Sequence, residues 1–187
     1  MSCDPIELRN TSEYNQPISS FDWNKYNQNT IAAASIDSSV TIWNIEEEQI
    51  TTQLIAHDKA VYDISFSLEE TIFATVGEDG STRIFDTREL SNSTIVFETP
   101  EGKPLQRVTW NSKNEHLLAV LAVDDSNILL LDKRKPNKNI DTLSHKDQKV
   151  NSIAWSPECA ELICSVGEQN ALIWDINHES SAHVQDS

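Results

Sequence analysis

The amino-acid sequence predicts an all-β fold built from four repeats of one sheet unit. Two series of apolar anchors recur at intervals of 42 to 46 residues, and the strands that hold the first series share one internal spacing. Self-similarity at a fixed period marks a repeat architecture and takes precedence over local assignments.

The first series ends four short segments: Ser20-Phe21-Asp22-Trp23, Asp63-Ile64-Ser65-Phe66, Arg107-Val108-Thr109-Trp110 and Ser152-Ile153-Ala154-Trp155. Their last residues, at 23, 66, 110 and 155, lie 43, 44 and 45 residues apart. Inside each segment the apolar residues read i, i+3, i+5. The sets are Ile18, Phe21, Trp23; Val61, Ile64, Phe66; Leu105, Val108, Trp110; and Val150, Ile153, Trp155. A plain strand puts one face at i, i+2, i+4. The extra residue predicts a β-bulge at the start of each strand, which re-aims one side chain. The β-branched and aromatic content favours strand over a turn of helix.

The second series follows 19 to 21 residues later: Ile42-Trp43-Asn44, Ile84-Phe85-Asp86, Leu130-Leu131-Asp132 and Ile173-Trp174-Asp175. These strands run apolar without alternation, as in Ile128-Leu129-Leu130-Leu131, which predicts burial on both faces. Turns precede them. Asp37, Asp79 and Asp125 each stand six residues ahead of positions 43, 85 and 131, where a carboxylate can accept bonds from its own loop. Gly77-Glu78-Asp79-Gly80-Ser81 is a strong hairpin signal. The fourth repeat has Gly167-Glu168-Gln169-Asn170 instead, without the Asp. His57 and His145 stand just before the first strands of the second and fourth repeats.

A period of about 40 to 45 residues with a His, a turn Asp and a terminal Trp-Asp resembles the WD repeat. Ile173-Trp174-Asp175-Ile176 and Ile84-Phe85-Asp86 carry that resemblance best. It implies an all-β fold, a β-propeller of four-stranded blades set radially. The segments Ser20 to Asn24, Gln53 to Asp63 and Ala171 to Ile176 resemble one branch in particular. That branch holds the animal DDB- and cullin-associated WD-repeat factors and the plant transparent-testa-glabra and anthocyanin-regulating proteins. Its members are adaptors. They dock dual-specificity tyrosine-regulated kinases, join MYB and helix-loop-helix transcription-factor assemblies, or present substrates to a cullin-RING ubiquitin ligase. The resemblance therefore implies protein partners of those kinds: a protein kinase, transcription factors or a cullin-ligase adaptor.

The expected organisation is a polar N-terminal segment at 1–16, WD repeats at 17–56, 57–103, 104–147 and 148–178, and a polar tail at 179–187. The family pattern is a propeller of about seven blades, and four repeats are present. The expected fold is thus an incomplete propeller. Three explanations stand: a fragment or reduced gene product, which is the favoured one, a chain that closes by self-association, or a compact four-bladed ring. An open array would leave two apolar faces uncovered.

Composition narrows the function. The net charge is −16, from 30 acidic and 14 basic side chains, which repels a phosphate backbone and argues against direct nucleic-acid binding. Only Lys133-Arg134-Lys135 and Lys146 to Lys149 form basic clusters, both short. No apolar run nears the roughly 20 residues of a membrane span. No secretory signal is recognised, so the Asn10 and Asn92 glycosylation patterns read as chance and the expected location is cytoplasm and nucleus. Three cysteines, Cys3, Cys159 and Cys164, make no disulfide framework and no zinc-ligand pattern.

No catalytic, metal or cofactor site is expected. His57, Thr75 and Asp79 have the makings of a relay, but their repeat positions give them a structural role. A propeller enzyme, the reading from another class, lacks converging acids, bases or ligands. The five Trp (Trp23, Trp43, Trp110, Trp155 and Trp174) recur at repeat positions and read as core, not as a stacking cage. Asp37, His57, Asp79, Asp125, His145 and Asp175 complete the structural set. The partner-docking candidates are Phe85, Asp86 and Arg88, then Leu131, Asp132 and Arg134. Both triplets resemble the Trp-Asp-x-Arg box by which cullin-ligase substrate receptors meet their adaptor, with Phe85 and Leu131 in place of Trp. An exposed Arg there can grip a partner carboxylate with two bonds. The bulge residues Tyr62, Gln106 and Asn151 are the second candidate set. The resemblance puts them at the narrow end, where WD proteins hold peptides.

Overall fold

The structure, a computed structural model, describes residues 7–8, 16–146 and 148–177. Cys3, the Asn10 pattern, nearly all of the 1–16 segment and the 179–187 tail lie outside the described residues. Four antiparallel meanders follow one another along the chain. The first sheet is β1 (Ile18–Trp23), β2 (Thr30–Ser35), β3 (Ser39–Asn44) and β4 (Gln49–Ile55). The second is β5 (Val61–Phe66), β6 (Ile72–Gly77), β7 (Ser81–Asp86) and β8 (Glu89–Glu98). The third is β9 (Leu105–Trp110), β10 (Leu117–Ala122), β11 (Asn127–Asp132) and β12 (Asn139–Ser144). The fourth has three strands among the described residues: β13 (Val150–Trp155), β14 (Leu162–Gly167) and β15 (Ala171–Asp175). The fold is all-β, and the sheets are the blades of a partial propeller.

Strand order is sequence order in every sheet, and neighbouring sheets meet through their first strands: β1 against β5, β5 against β9, β9 against β13. The register shows why i, i+3, i+5 recurs. On β1, Ile18 pairs with Ser35 and Ser20 with Ala34, so Ser19 has no partner across the ladder. The same step passes over Tyr62, Gln106 and Asn151. Each bulge turns the strand by one residue and brings the next two apolar anchors onto the face of the first.

Each sheet therefore has two apolar faces. Its backward face carries the first anchor series and meets the preceding sheet. Its forward face carries alternate residues of the second and third strands. The three junctions are built alike. Ala32, Ala34, Val40 and Ile42 meet Val61, Ile64, Phe66, Phe73 and Phe85. Ala74, Val76 and Phe97 meet Leu105, Val108, Trp110, Leu118 and Leu131. Ala119, Leu121, Ile128 and Leu130 meet Val150, Ile153, Trp155 and Trp174. Small Ala residues on the forward side leave room for the aromatic anchors opposite, so the layers interdigitate. In the first junction Phe73 stacks on Phe85 at 5.3 Å and meets Phe66 edge-on at 5.8 Å.

Four of the five Trp are buried, as repeat positions predict. Trp23 differs: it is 49% exposed, although Trp43, two strands across on the same face of the first sheet, is buried.

Candidate functional site

The meander has two ends. Because β1 starts where β2 finishes, the starts of the first strands, the β2–β3 turn and the end of β4 lie together. We refer to this as the upper end. The finishes of the first strands, the turns between first and second strands and those between third and fourth strands form the lower end. Tyr62, Gln106, Asn151, His57, His145, Asp37, Asp79 and Asp125 belong to the upper end, and Asp86, Arg88, Asp132 and Arg134 to the lower. The two candidate docking sets thus occupy opposite ends of one stack.

At the upper end of the second sheet, His57 is fully buried. Its Nδ1 lies 2.9 and 3.0 Å from the two Asp79 carboxylate oxygens and its Nε2 lies 2.8 Å from Thr75 Oγ1. The Ser81 backbone N–H donates to Asp79 at 3.0 Å, and Arg83 Nη2 reaches Asp79 at 3.1 Å and Asp58 at 2.6 Å. Burial by itself would raise the Asp79 pKa, but the bonds from His57 and Ser81 outweigh it and hold the carboxyl far below its usual range. Gly77 makes room, since a Cβ there would run into Ala60 O and the His57 ring. These bonds tie the segment before β5 to β6 and to the β6–β7 turn, as a clasp does.

The fourth sheet holds a reduced version. His145 Nε2 lies 2.5 Å from Ser165 Oγ, which also accepts a bond from Trp174 Nε1 at 2.7 Å. Gln169 stands where the second sheet has Asp79, and among the described residues no group meets hydrogen-bond distance and angle at His145 Nδ1. Burial lowers the His145 pKa, favouring the neutral ring. Asp37 accepts from Ser39 N–H at 3.0 Å and Ser39 Oγ–H at 2.5 Å. Asp125 accepts from Asn127 N–H at 2.9 Å and Lys103 Nζ at 2.6 Å. Beside these clasps, Tyr62 and Gln106 are half-buried and Asn151 is exposed, its amide donating to Gly167 O at 3.2 Å.

At the lower end the two Asp-x-Arg triplets adopt one geometry. Arg88 Nε and Nη2 bond Asp86 at 3.0 and 2.5 Å, and the Arg88 backbone N–H donates to the same carboxylate at 3.0 Å. Arg134 repeats this on Asp132 at 2.9, 2.7 and 2.9 Å. The bond from the guanidinium is the main reason that each carboxyl titrates at about 2. The Arg side chains stay 73% and 60% exposed. Phe85 and Leu131, in the Trp position of the box, are buried in the blade junctions. Each fork therefore stands on a packed anchor. The forks engage Nε and Nη2 of a group with five N–H donors, so donors remain for a partner carboxylate.

Sequence reasoning passed over the polar links between sheets. Asp63, buried on β5, accepts from Ser20 Oγ–H at 2.5 Å and from the Val108 N–H at 3.0 Å, and so joins three sheets. Desolvation raises its pKa. Asp22 accepts the Phe66 N–H at 2.7 Å, and desolvation raises its pKa too. At the lower end Asn24 and Asn111 donate to Glu70 O and Ala160 O, each at 2.7 Å, and Lys133 pairs with Glu69. The available signal was a carboxylate between two apolar anchors: Asp22 lies between Phe21 and Trp23, and Asp63 between Val61 and Ile64. Among the described residues no group of His, Cys, Asp and Glu is arranged to hold a metal. Among the described residues no helix is long and apolar enough to cross a membrane.

The model of the WD domain, G-beta repeat, matches residues 7–44, 48–86 and 137–175, more than half of the chain. β9 to β11 fall between the matched stretches yet form the same sheet. The chain is 46% identical over 167 residues to a DDB1- and CUL4-associated factor 7 homolog of Dictyostelium discoideum, covering 89% of this chain and 51% of that protein. It is 36% identical to the WD repeat-containing protein YPL247C of Saccharomyces cerevisiae, covering 86% and 35%. It is 30% identical to a ribosome biogenesis protein WDR12 homolog of Drosophila willistoni, covering 85% and 36%. The chain spans about half or less of the length of these relatives.

Proposed function

The chain belongs to the WD-repeat family, and from that premise we propose that it is a non-catalytic protein-interaction scaffold whose two ends dock different partners. The observation that carries this reading is the separation of the two candidate sets. Tyr62, Gln106 and Asn151 sit at the strand starts, and the Asp86–Arg88 and Asp132–Arg134 forks at the strand finishes, with a packed core between them. Two proteins can then bind at once without competing. The half-buried Tyr62 supplies the aromatic anchor typical of interface hot spots. By resemblance, the partners of the upper end are a protein kinase or transcription factors, and the working compartment is cytoplasm and nucleus.

A second reading is a substrate receptor of a cullin-RING ubiquitin ligase, and the paired forks favour it. Two rigid, exposed guanidinium groups in consecutive sheets suit carboxylates on one adaptor surface. The relative named as DDB1- and CUL4-associated suggests DDB1 as the probe. Calorimetric titration of DDB1 with the wild type and with the Arg88→Ala, Arg134→Ala double variant tests this. Loss of at least tenfold in affinity supports docking through the forks, and equal affinity removes it. The scaffold reading survives that loss as long as upper-end partners are still captured.

A further inference from the structure

We propose that the upper end of the second and third sheets binds a partner peptide through an acidic side chain, whose carboxylate is taken by Arg107 on β9 beside Tyr62 and Gln106. The proposal rests on the reading of the upper end as a docking end. It adds the chemistry of what docks there and a residue, Arg107, outside both candidate sets.

Arg107 is set apart by what it does not touch. Three basic side chains are half-buried among the described residues: Arg83, Arg107 and Lys133. Arg83 bonds Asp58 and Asp79, and Lys133 pairs with Glu69. Arg107 has no hydrogen bond and no ion pair among the described residues. The carboxylate that it acts on from a distance, Asp63, is already engaged by Ser20 Oγ–H at 2.5 Å and Val108 N–H at 3.0 Å. A charge taken partly out of water is costly while it lacks a partner. A guanidinium in that state suits a carboxylate, which it can grip with two parallel bonds.

The repeat makes the exception plain. Ser20, Asp63, Arg107 and Ser152 each precede the middle anchor of their first strand. Ser20 and Asp63 tie their sheets to the next one. Arg107 makes no such tie among the described residues, so the third sheet carries a guanidinium there with all five N–H donors open.

The bulge residues divide in the same way. Ser19 Oγ–H donates to Val61 O at 2.5 Å, and the Asn151 amide donates to Gly167 O at 3.2 Å. The Tyr62 hydroxyl and the Gln106 amide, both half-buried, make no hydrogen bond among the described residues. Open polar groups thus collect on β5 and β9, two first strands in contact, and each of their sheets has a described sheet on both sides. An amide can both donate to and accept from a peptide backbone, and a Tyr ring supplies an anchor.

A carboxylate fits better than a phosphate. One guanidinium flanked by two neutral groups matches a single negative charge, and a phosphate would bring nearly two beside the buried Asp63. The net charge of −16 disfavours any acidic ligand at long range, so selection for an acid comes from Arg107 itself.

The test uses the full-length protein, immobilised, and peptide pools random in uncharged residues around one fixed residue: Glu, Gln or phosphoserine. The wild type is expected to retain the Glu pool about tenfold or more above the Gln pool. Arg107→Met removes that preference. Arg107→Lys keeps it and binds more weakly, since an ammonium cannot form the two-bond grip. Tyr62→Ala lowers retention of every pool. Circular dichroism checks the fold of each variant, and should Arg107→Met fail to fold, the pool ratios on the wild type and Arg107→Lys decide. Equal retention of the Glu and Gln pools by the wild type, an acid preference that survives Arg107→Met, or a phosphoserine pool retained above the Glu pool overturns the proposal. The upper-end reading survives those results as long as Tyr62→Ala still lowers retention. Pools that the wild type does not retain, or retention indifferent to Tyr62→Ala, overturn both.

Discussion

Asp63 on β5 accepts the backbone N–H of Val108 on β9 at 3.0 Å, inside the junction between the second and third sheets. A side chain here closes a gap that no β-ladder among the described residues closes, since the four sheets are separate. Ser20 Oγ–H of the first sheet bonds the same carboxylate at 2.5 Å, so one residue holds three blades.

Removing that carboxylate orphans the Val108 N–H. Asp63→Ala is expected to destabilise the chain by about 2–4 kcal/mol, and Asp63→Asn by less, because an amide oxygen still accepts. Chemical denaturation of both variants checks the order. The pH dependence has a definite sign. The folded pKa is raised above the unfolded value, so the native state binds the proton first. This residue therefore adds stability as pH falls through its folded pKa, and Asp63→Asn loses that gain.

Asp79 has the opposite sign. Its folded pKa lies far below the unfolded value, so the His57 clasp contributes stability that is complete above about pH 4 and is lost as the pH falls toward the folded pKa. Asp79→Asn is expected to cost about 1–3 kcal/mol at neutral pH and to flatten the acid limb of the stability profile. Thermal melts from pH 2 to 7 measure both.

The fourth sheet tests the clasp by gain. Gln169→Asp places a carboxylate at the turn position where the second sheet has Asp79, the partner that His57 has and that His145 Nδ1 lacks among the described residues. A gain of about 1 kcal/mol is expected, which raises the melting temperature by about 2–4 °C in a domain of this size. An unchanged or lower melting temperature shows that the turn does not present residue 169 to the ring.

Phe73 is fully buried between Phe66 and Phe85. Phe73→Ala is expected to cost about 3–5 kcal/mol through the cavity it leaves. Ile173→Ala, at the equivalent of a core position but 57% exposed, costs less than about 1 kcal/mol. Paired denaturation curves compare the two.

How much the sequence revealed depends on the period of each signal. The anchors recur at 42 to 46 residues, and the residue passed over between Ile18 and Ser20, or between Val61 and Asp63, left its mark as an i, i+3, i+5 spacing. Fold class and bulges were therefore legible. The exposure of Trp23 was not, because repeat position does not by itself fix burial: Trp43, on the same face, is buried. The links through Asp63 and Asn24 were also hidden, since they join residues 43 to 46 positions apart that pair only once the blades are side by side. The Asp86–Arg88 and Asp132–Arg134 forks were readable as motifs because their geometry is local to two residues. Their common placement at the end opposite Tyr62 needed the topology.

That placement is the central claim, and one measurement tests it most directly. Tagged wild type, the Arg88→Ala, Arg134→Ala variant and the Tyr62→Ala, Gln106→Ala, Asn151→Ala variant are expressed in cells, and their captured proteins are quantified by mass spectrometry. Two docking ends predict that each variant loses its own subset of wild-type partners and keeps the subset that the other loses. Loss of one common set by both variants, or full retention by both, contradicts a scaffold that works from opposite ends.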